Sequence, residues 1–235
     1  MRLDKFLSHT GFGSRKEVKP LLKKSVIVVN GNVVKDGKFN INEASDVIMV
    51  NGEIVKYQKY FYYLLNKPKG VISATEDRNH KTVLDLLDAE DFRADLFPVG
   101  RLDKDTTGLL LITNDGELSH NLLSPKKHVS KTYRATISGI VTEDDVLTFK
   151  KGVVISGDEL CKPASLKIIN INEEKSESTI EVTISEGKYH QVKRMFAAVG
   201  KRVVALHRLS MGEMILPRDL DEGHYIELTE KEFVF

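Results

Sequence analysis

Gly100-Arg101-Leu102-Asp103-Lys104-Asp105-Thr106-Thr107-Gly108-Leu109-Leu110-Leu111 joins a polar turn, with a glycine towards each end, to a run that only a sheet interior accepts. Leu109 to Thr113 does not alternate, so it reads as a strand buried on both faces. Working outward, Phe61 to Leu65 and Val129 to Ile137 read as further strands, and Ile180, Val182 and Ile184 alternate across another. Thr82 is placed to cap a helix through Glu90. Val192, Met195, Phe196 and Val199 form the apolar face of a helix that Gly200 ends. Strands and helices are interspersed without a repeat, which predicts an α+β domain around a mixed sheet.

The first sixty residues read as a separate unit. Leu3, Phe6 and Leu7 have helical spacing, and Gly11-Phe12-Gly13 stops that helix. Ser14 with Glu17 is a capping-box pattern for a second helix, although Pro20 should kink it. Val26 to Val29, Asn30-Gly31 and Asn32 to Val34 predict a hairpin, and Val47 to Val50 one more strand. Lys56 to Lys59 would link this unit to the rest, giving expected domains of 1–58 and 60–235.

Composition narrows the function. The chain has 235 residues, 41% hydrophobic and 29% charged, enough apolar content for a substantial core. No apolar run approaches the ~20 residues of a membrane span, and Met1 to Lys5 lacks the apolar run of a secretory signal. One cysteine, Cys161, cannot form an internal disulfide or a multi-cysteine zinc site. It fits a reducing cytoplasm and reads as a small buried apolar residue. The net charge of +1 hides an asymmetry: residues 1–60 hold 11 of the 35 Lys and Arg and 6 of the 34 Asp and Glu, a balance of +5 against −4 for the remainder. A basic head on a mildly acidic body suits a polyanionic partner. Arg15, Lys16, Lys19 and Lys23 lie three or four residues apart, so their helix face can follow phosphates. Taken alone, that pattern also describes any solvated helix.

The chemistry of the turn turns on Asp103. Arg101 and Lys104 flank it and should favour its charged form. A carboxylate at the lip of a sheet can serve as nucleophile, base or metal ligand, or simply brace its own turn. Asp105 could join it in a cation site, yet no third or fourth ligand follows at usable spacing.

Two resemblances sharpen this. Arg2-Leu3-Asp4-Lys5-Phe6-Leu7, Ser14-Arg15 and Val26 to Gly31 resemble the S4 RNA-binding domain over roughly residues 2–50. That implies RNA contacts from Arg2, Lys5, Ser14, Arg15, Lys16 and Lys19, with Pro20 affecting how Lys23 and Lys24 point. The Gly100–Leu109 stretch resembles the catalytic motif of the pseudouridine synthases that follow an S4 domain. Asn66-Lys67-Pro68-Lys69-Gly70, Lys131-Thr132-Tyr133 and Glu186 to Phe196 resemble three further motifs of that family, in the same order.

The resemblance implies a small S4 domain ahead of a catalytic domain with a mixed, largely antiparallel sheet. It implies isomerisation of uridine to pseudouridine without a cofactor, in agreement with the absence of dinucleotide, P-loop or metal patterns. Asp103 would be the essential carboxylate, by attack at C1′, addition at C6 or elimination to a glycal. Tyr133 would stack on the target base, Lys193 would pair with the carboxylate, and Arg101 would sit near the position that the extruded uridine leaves. Lys67 would be a second substrate contact. His190 and His207 receive no role. The tract His190 to Met195 is closer to the branch acting on small-subunit (16S) rRNA, within an assembly intermediate and as a monomer. The alternatives are the same reaction on 23S rRNA, or a non-catalytic rRNA-binding or ribosome-assembly factor.

Overall fold

A computed structural model describes residues 1–24 and 26–229. It divides into two compact units, Met1–Tyr60 and Phe61–Phe235.

The first unit comprises α1 (Leu3–His9), α2 (Arg15–Lys24), β1 (Ile27–Val29), β2 (Asn32–Val33), β3 (Ile48–Val50) and β4 (Glu53–Val55). The capping box forms as expected: the Ser14 amide donates to Glu17 Oε2 at 2.7 Å, and the Glu17 amide to Ser14 Oγ at 3.4 Å. The helix then runs through Pro20 to Lys24. Asn30 and Gly31 both take positive φ, 50° and 83°, as a two-residue hairpin of the right twist requires. Asn30 also ties that turn to the neighbouring strand, accepting from the Val47 amide and donating to Asp46. Leu3, Phe6, Leu7, Val18, Leu22, Ile27 and Ile48 close a core of their own. Tyr57, inside the expected linker, stacks on Phe6 at 5.6 Å and so belongs with this core.

The second unit contains β5 (Tyr62–Lys67), β6 (Phe97–Pro98), β7 (Thr107–Thr113), α3 (Gly116–Leu123), β8 (Lys131–Ser138), α4 (Glu143–Lys151), β9 (Val154–Ile155) and β10 (Glu159–Leu160). It continues with β11 (Ser165–Asn172), β12 (Glu177–Ile184), α5 (Gln191–Ala198), β13 (Arg202–Met211), β14 (Met214–Ile215) and β15 (Tyr225–Glu227). Nine strands form one sheet along the path β11-β12-β8-β13-β7-β5-β15, with β14 on β13 and β6 on β7. Among the described strands only β13 and β7 pair in parallel, so the sheet is mixed and largely antiparallel. Leu109 to Ile112 are fully buried, as their uninterrupted run predicts. On β8 and β12 burial alternates strictly, and the inward rows meet Phe149 of α4 and Phe196 of α5, whose rings lie 4.9 Å apart.

One expected element is different. Thr82 does bind Asp85, its amide donating to Oδ2 at 2.7 Å, but only a single 3-10 turn follows, Leu84–Leu86. Leu87 is already extended at φ −77°, ψ 143°, so no helix reaches Glu90. The cap is present, but the chain leaves the helical region one turn later. Two helices that the periodicity did not reveal, α3 and α4, are instead announced by their caps. Asp115 accepts from the Glu117 and Leu118 amides, and Thr142 with Asp145 forms a capping box.

Candidate active site

A cavity of about 780 Å³ opens in the second unit, within the ~300–1,000 Å³ range of small-molecule sites. Its wall takes residues from the Gly100–Thr106 loop, from β8, from the segment leading into α5, and from β13.

The loop carrying Asp103 joins β6 to β7 and is fixed through its backbone. Lys67 is wholly buried at the end of β5, and its Nζ donates to the carbonyls of Pro68, Asp103 and Thr106 at 3.1, 3.1 and 2.9 Å. Ser73 grips Leu102 at both backbone groups: its hydroxyl donates to the carbonyl at 2.9 Å and accepts from the amide at 3.0 Å. The Gly70 amide adds a bond to the Lys104 carbonyl. Burial lowers the Lys67 ammonium to a pKa of about 8, with Asp105 and Asp103 opposing that shift. Lys67 thus meets the backbone of the Asp103 loop. Two of the three carbonyls it meets belong to that loop, and it is not among the residues lining the cavity.

Gly108, at the far end of the motif, has φ +100°, and a Cβ there would lie 2.3 Å from the Arg208 carbonyl oxygen. The parallel contact of β7 with β13 demands glycine, and it sets the register that brings β13 to the cavity.

Asp103 meets its charge partners from across the chain rather than from Arg101 or Lys104. Lys193 Nζ donates to Asp103 Oδ2 at 3.0 Å and to Asp105 Oδ1 at 2.7 Å, while His190 Nε2 lies 3.3 Å from Asp103 Oδ1. Burial alone would lower the Lys193 pKa, but hydrogen bonds to Asp105 and Asp103 outweigh it and hold the ammonium above its ordinary range. The same bond from Lys193 is the first cause holding Asp105 below the usual carboxylate range. Lys193 stands on the first turn of α5, just after the motif's glycine and lysine. Its neighbour Arg194 turns away, donating to Ser156 and Glu159 and to the Tyr189 carbonyl. The geometry distinguishes these adjacent cations.

His190 was given no role in the sequence, yet its Nε2 reaches Asp103. It caps α5 in the left-handed conformation (φ 49°, ψ 34°), and its ring stacks on Tyr189 at 3.8 Å. That backbone state, rare for a non-glycine residue, turns the imidazole inward. No composition or spacing signal predicts it. His207 instead bonds the Thr107 hydroxyl at 2.7 Å, and burial lowers its pKa.

Tyr133 is 8% exposed on β8 and lines the cavity, as does Arg101, which is exposed on the loop. Cys161 is buried. Among the described residues no group of three or more His, Cys, Asp or Glu could hold a metal ion, and no helix is long and apolar enough to cross a membrane.

In the first unit Lys5, Ser14, Arg15, Lys16 and Lys19 are exposed. Arg2 and Arg15 converge on one buried carboxylate, Asp4, at 2.6 and 3.0 Å. Although burial opposes it, the two guanidinium groups hold Asp4 below its ordinary pKa of 3.8. Two of the expected RNA-binding cations thus share an internal counter-charge, and Ser14 is engaged in capping. Among the described residues Lys5, Lys16 and Lys19 form no salt bridge, although Lys5 is close enough to Glu43 to help lower its pKa.

Comparison with protein families matches residues 61–198 to the RNA pseudouridylate synthase family and residues 1–48 to the S4 domain. A Bacillus subtilis protein described as an uncharacterised RNA pseudouridine synthase is 48% identical over 232 residues, covering 99% of this chain and 96% of that protein. Proteins named ribosomal small subunit pseudouridine synthase A from Vibrio cholerae and Escherichia coli are 44% and 41% identical over 233 residues. They cover 99% of this chain, and 97% and 98% of their own lengths. A crystal structure of a pseudouridylate synthase superposes with a TM-score of 0.67 at 38% identity, over 99% of this chain and 97% of that one.

Proposed function

Since the chain belongs to the RNA pseudouridylate synthase family and carries an S4 domain ahead of the synthase region, we propose that it isomerises one uridine of 16S rRNA with Asp103 as the catalytic carboxylate. The observation that carries this is the Asp103–Lys193 ion pair at 3.0 Å on the wall of a cavity that Tyr133 also lines. A fixed carboxylate, ion-paired with a lysine in a cavity that an aromatic ring also lines, is the equipment that cleavage and re-formation of a glycosidic bond requires. Isomerisation has no net redox change, so it calls for no electron carrier.

In this reading residues 1–58 are the RNA-binding domain and 60–235 the catalytic domain. Tyr133 stacks on the extruded base, and Arg101, exposed at the rim, enters the position vacated in the RNA. The small-subunit target is supported by relatives of that name matching along their full length. The protein then acts in the cytoplasm, as a monomer, on rRNA within a small-subunit assembly intermediate.

Tritium release from C5-labelled rRNA tests the reaction, and mapping pseudouridine in rRNA from cells lacking the protein tests the target. A missing modification in 23S rRNA would move the target to the large subunit. Intact modification everywhere, with no tritium released, would leave only an rRNA-binding factor.

The head makes a separate prediction. Among the described residues Lys5, Lys16 and Lys19 form no salt bridge like those of Arg2 and Arg15 with Asp4, so phosphate contacts should rest mainly on them. Replacing all three by glutamine should flatten the dependence of log affinity on log salt by up to about 2 units, at roughly 0.7 per phosphate contact on single-stranded RNA. Filter binding across a salt series measures this, and an unchanged slope would show that this face does not meet phosphate.

A further inference from the structure

Four buried side-chain atoms have no hydrogen-bond partner among the described residues: Asn66 Oδ1, Arg93 Nε, Thr106 Oγ1 and Arg208 Nη2. Two of the four, on Thr106 and Arg208, belong to residues lining the same cavity as Asp103. Native proteins leave few such groups, and each calls for an explanation.

Arg208 is the more demanding case. It is 2% exposed, and its guanidinium makes one bond to a described residue, from Nε to the Leu109 carbonyl at 2.7 Å. A buried arginine ordinarily faces a carboxylate, because an uncompensated charge out of water is strongly destabilising. Lys131 repeats the anomaly. It is 8% exposed on the same wall, and among the described residues its Nζ donates only to the Val129 carbonyl, at 3.0 Å. Burial lowers its ammonium, and Arg208 lowers it further, so the two cations are close enough to repel. On the adjacent strands Arg208 pairs directly with Tyr133, the residue expected to stack on the base. Gly108 fixes the Arg208 backbone by close contact. Of the cations lining the cavity, Arg208 and Lys131 are thus the buried pair without an ion-pair partner among the described residues, on a wall that also holds the Thr106 hydroxyl, Tyr133, Leu102, Ile184 and Leu206.

Such a surface suits a ligand that brings acceptor oxygens without bulk water. A phosphodiester would bring a full charge whose hydration shell this apolar wall would have to strip. A uracil ring is planar, fits between apolar walls, and presents two carbonyl oxygens. We propose that Arg208 and Lys131 bind the carbonyl oxygens of the extruded uracil and stabilise the negative charge that reaches them during the reaction.

This rests on the synthase reading above and deepens it. Breaking N1–C1′ leaves the bonding pair on N1, from which it delocalises onto O2 and O4. C5 then bonds C1′, the proton on C5 departs, and N1 takes up a proton. Addition of the carboxylate at C6 would likewise push charge onto O4. On each of the three routes open to Asp103 the uracil oxygens become more negative, so fixed cations there act on the transition state more than on the bound substrate.

The test uses the full-length protein, with single-turnover rates at saturating enzyme on RNA whose target is uridine, 2-thiouridine or 4-thiouridine. Arg208→Gln and Lys131→Gln should each lose about a hundredfold in rate, as for one oxyanion donor, with RNA affinity within threefold of the parent. Arg208→Lys should lose less. At least one thio substitution should slow the parent, and that penalty should shrink in the glutamine variant whose contact it removes. A shared misfolding defect would leave the thio penalty unchanged, so the comparison does not depend on the Leu109 contact surviving. Rates within threefold of the parent overturn the proposal, as does a thio penalty that is absent from the parent or equal in all proteins. So does a tenfold loss of affinity with an unchanged saturated rate, which would assign the cations to a phosphate. Failure of the parent to turn over any rRNA would instead overturn the synthase reading itself.

Discussion

Asp103→Asn is expected to abolish turnover while leaving the fold and RNA binding nearly untouched. The structural contacts of this residue run through its backbone: its carbonyl accepts from Lys67 at 3.1 Å and from the Thr106 amide at 3.1 Å, and neither bond involves the carboxylate. The side chain is 29% exposed, so its ion pair contributes at most about 1 kcal/mol to stability. An amide of the same shape keeps a hydrogen bond to Lys193 but loses the charge that all three routes require. Tritium release should fall below detection, with the melting temperature close to that of the parent and the rRNA dissociation constant within twofold. Turnover within tenfold of the parent would remove Asp103 from the chemistry.

The second large effect is expected at Lys193. Its ammonium bridges Asp103 and Asp105, so Lys193→Met leaves two neighbouring carboxylates, with His190 the remaining ion-pair partner of Asp103 among the described residues. Like charges in a partly desolvated site disfavour ionisation. Activity at neutral pH should fall at least a hundredfold, and the acidic limb of the pH–rate profile should move to higher pH. Lys193→Arg keeps the charge and should lose much less, although its planar fork does not reproduce a point contact. Arg194→Met is the control, because that side chain is bound to Ser156 and Glu159 instead. Single-turnover rates decide the matter: a dead Arg194→Met beside an active Lys193→Met would mean that the wrong cation has been assigned to Asp103.

Sequence periodicity and local motifs account for a good part of this molecule. The Asn30-Gly31 hairpin, the Ser14–Glu17 box and the Leu109–Thr113 strand were all legible, because each depends on neighbours a few residues apart. The approach of Lys193 to Asp103, ninety positions apart, followed from the order of motifs rather than from any local rule. What escaped is equally instructive. The burial of Lys67 beneath three carbonyls has no local signal, because a buried lysine and an exposed one look alike in a sequence. His190 needs a left-handed backbone that its residue type does not announce. The turn after Thr82 has the right cap but no continuing helix, since a cap starts a helix without fixing its length. Flanking charges were also a poor guide: Arg101 and Lys104 adjoin Asp103 in sequence, yet neither is its ion-pair partner.

The two hydrophobic cores have no side chain in common, and heat should distinguish them. At roughly 0.7 kcal/mol per residue, the 60 residues of the first unit and the 175 of the second carry melting enthalpies of about 40 and 120 kcal/mol. A scanning calorimeter should therefore record a total heat larger than the van't Hoff enthalpy of its main transition, and one midpoint would not describe the chain. Between the two transitions the protein would consist of an intact Asp103 cavity on a chain whose RNA-gripping arm has already melted. In that interval short oligonucleotides, delivered by diffusion, should still be modified at a temperature where long rRNA is released.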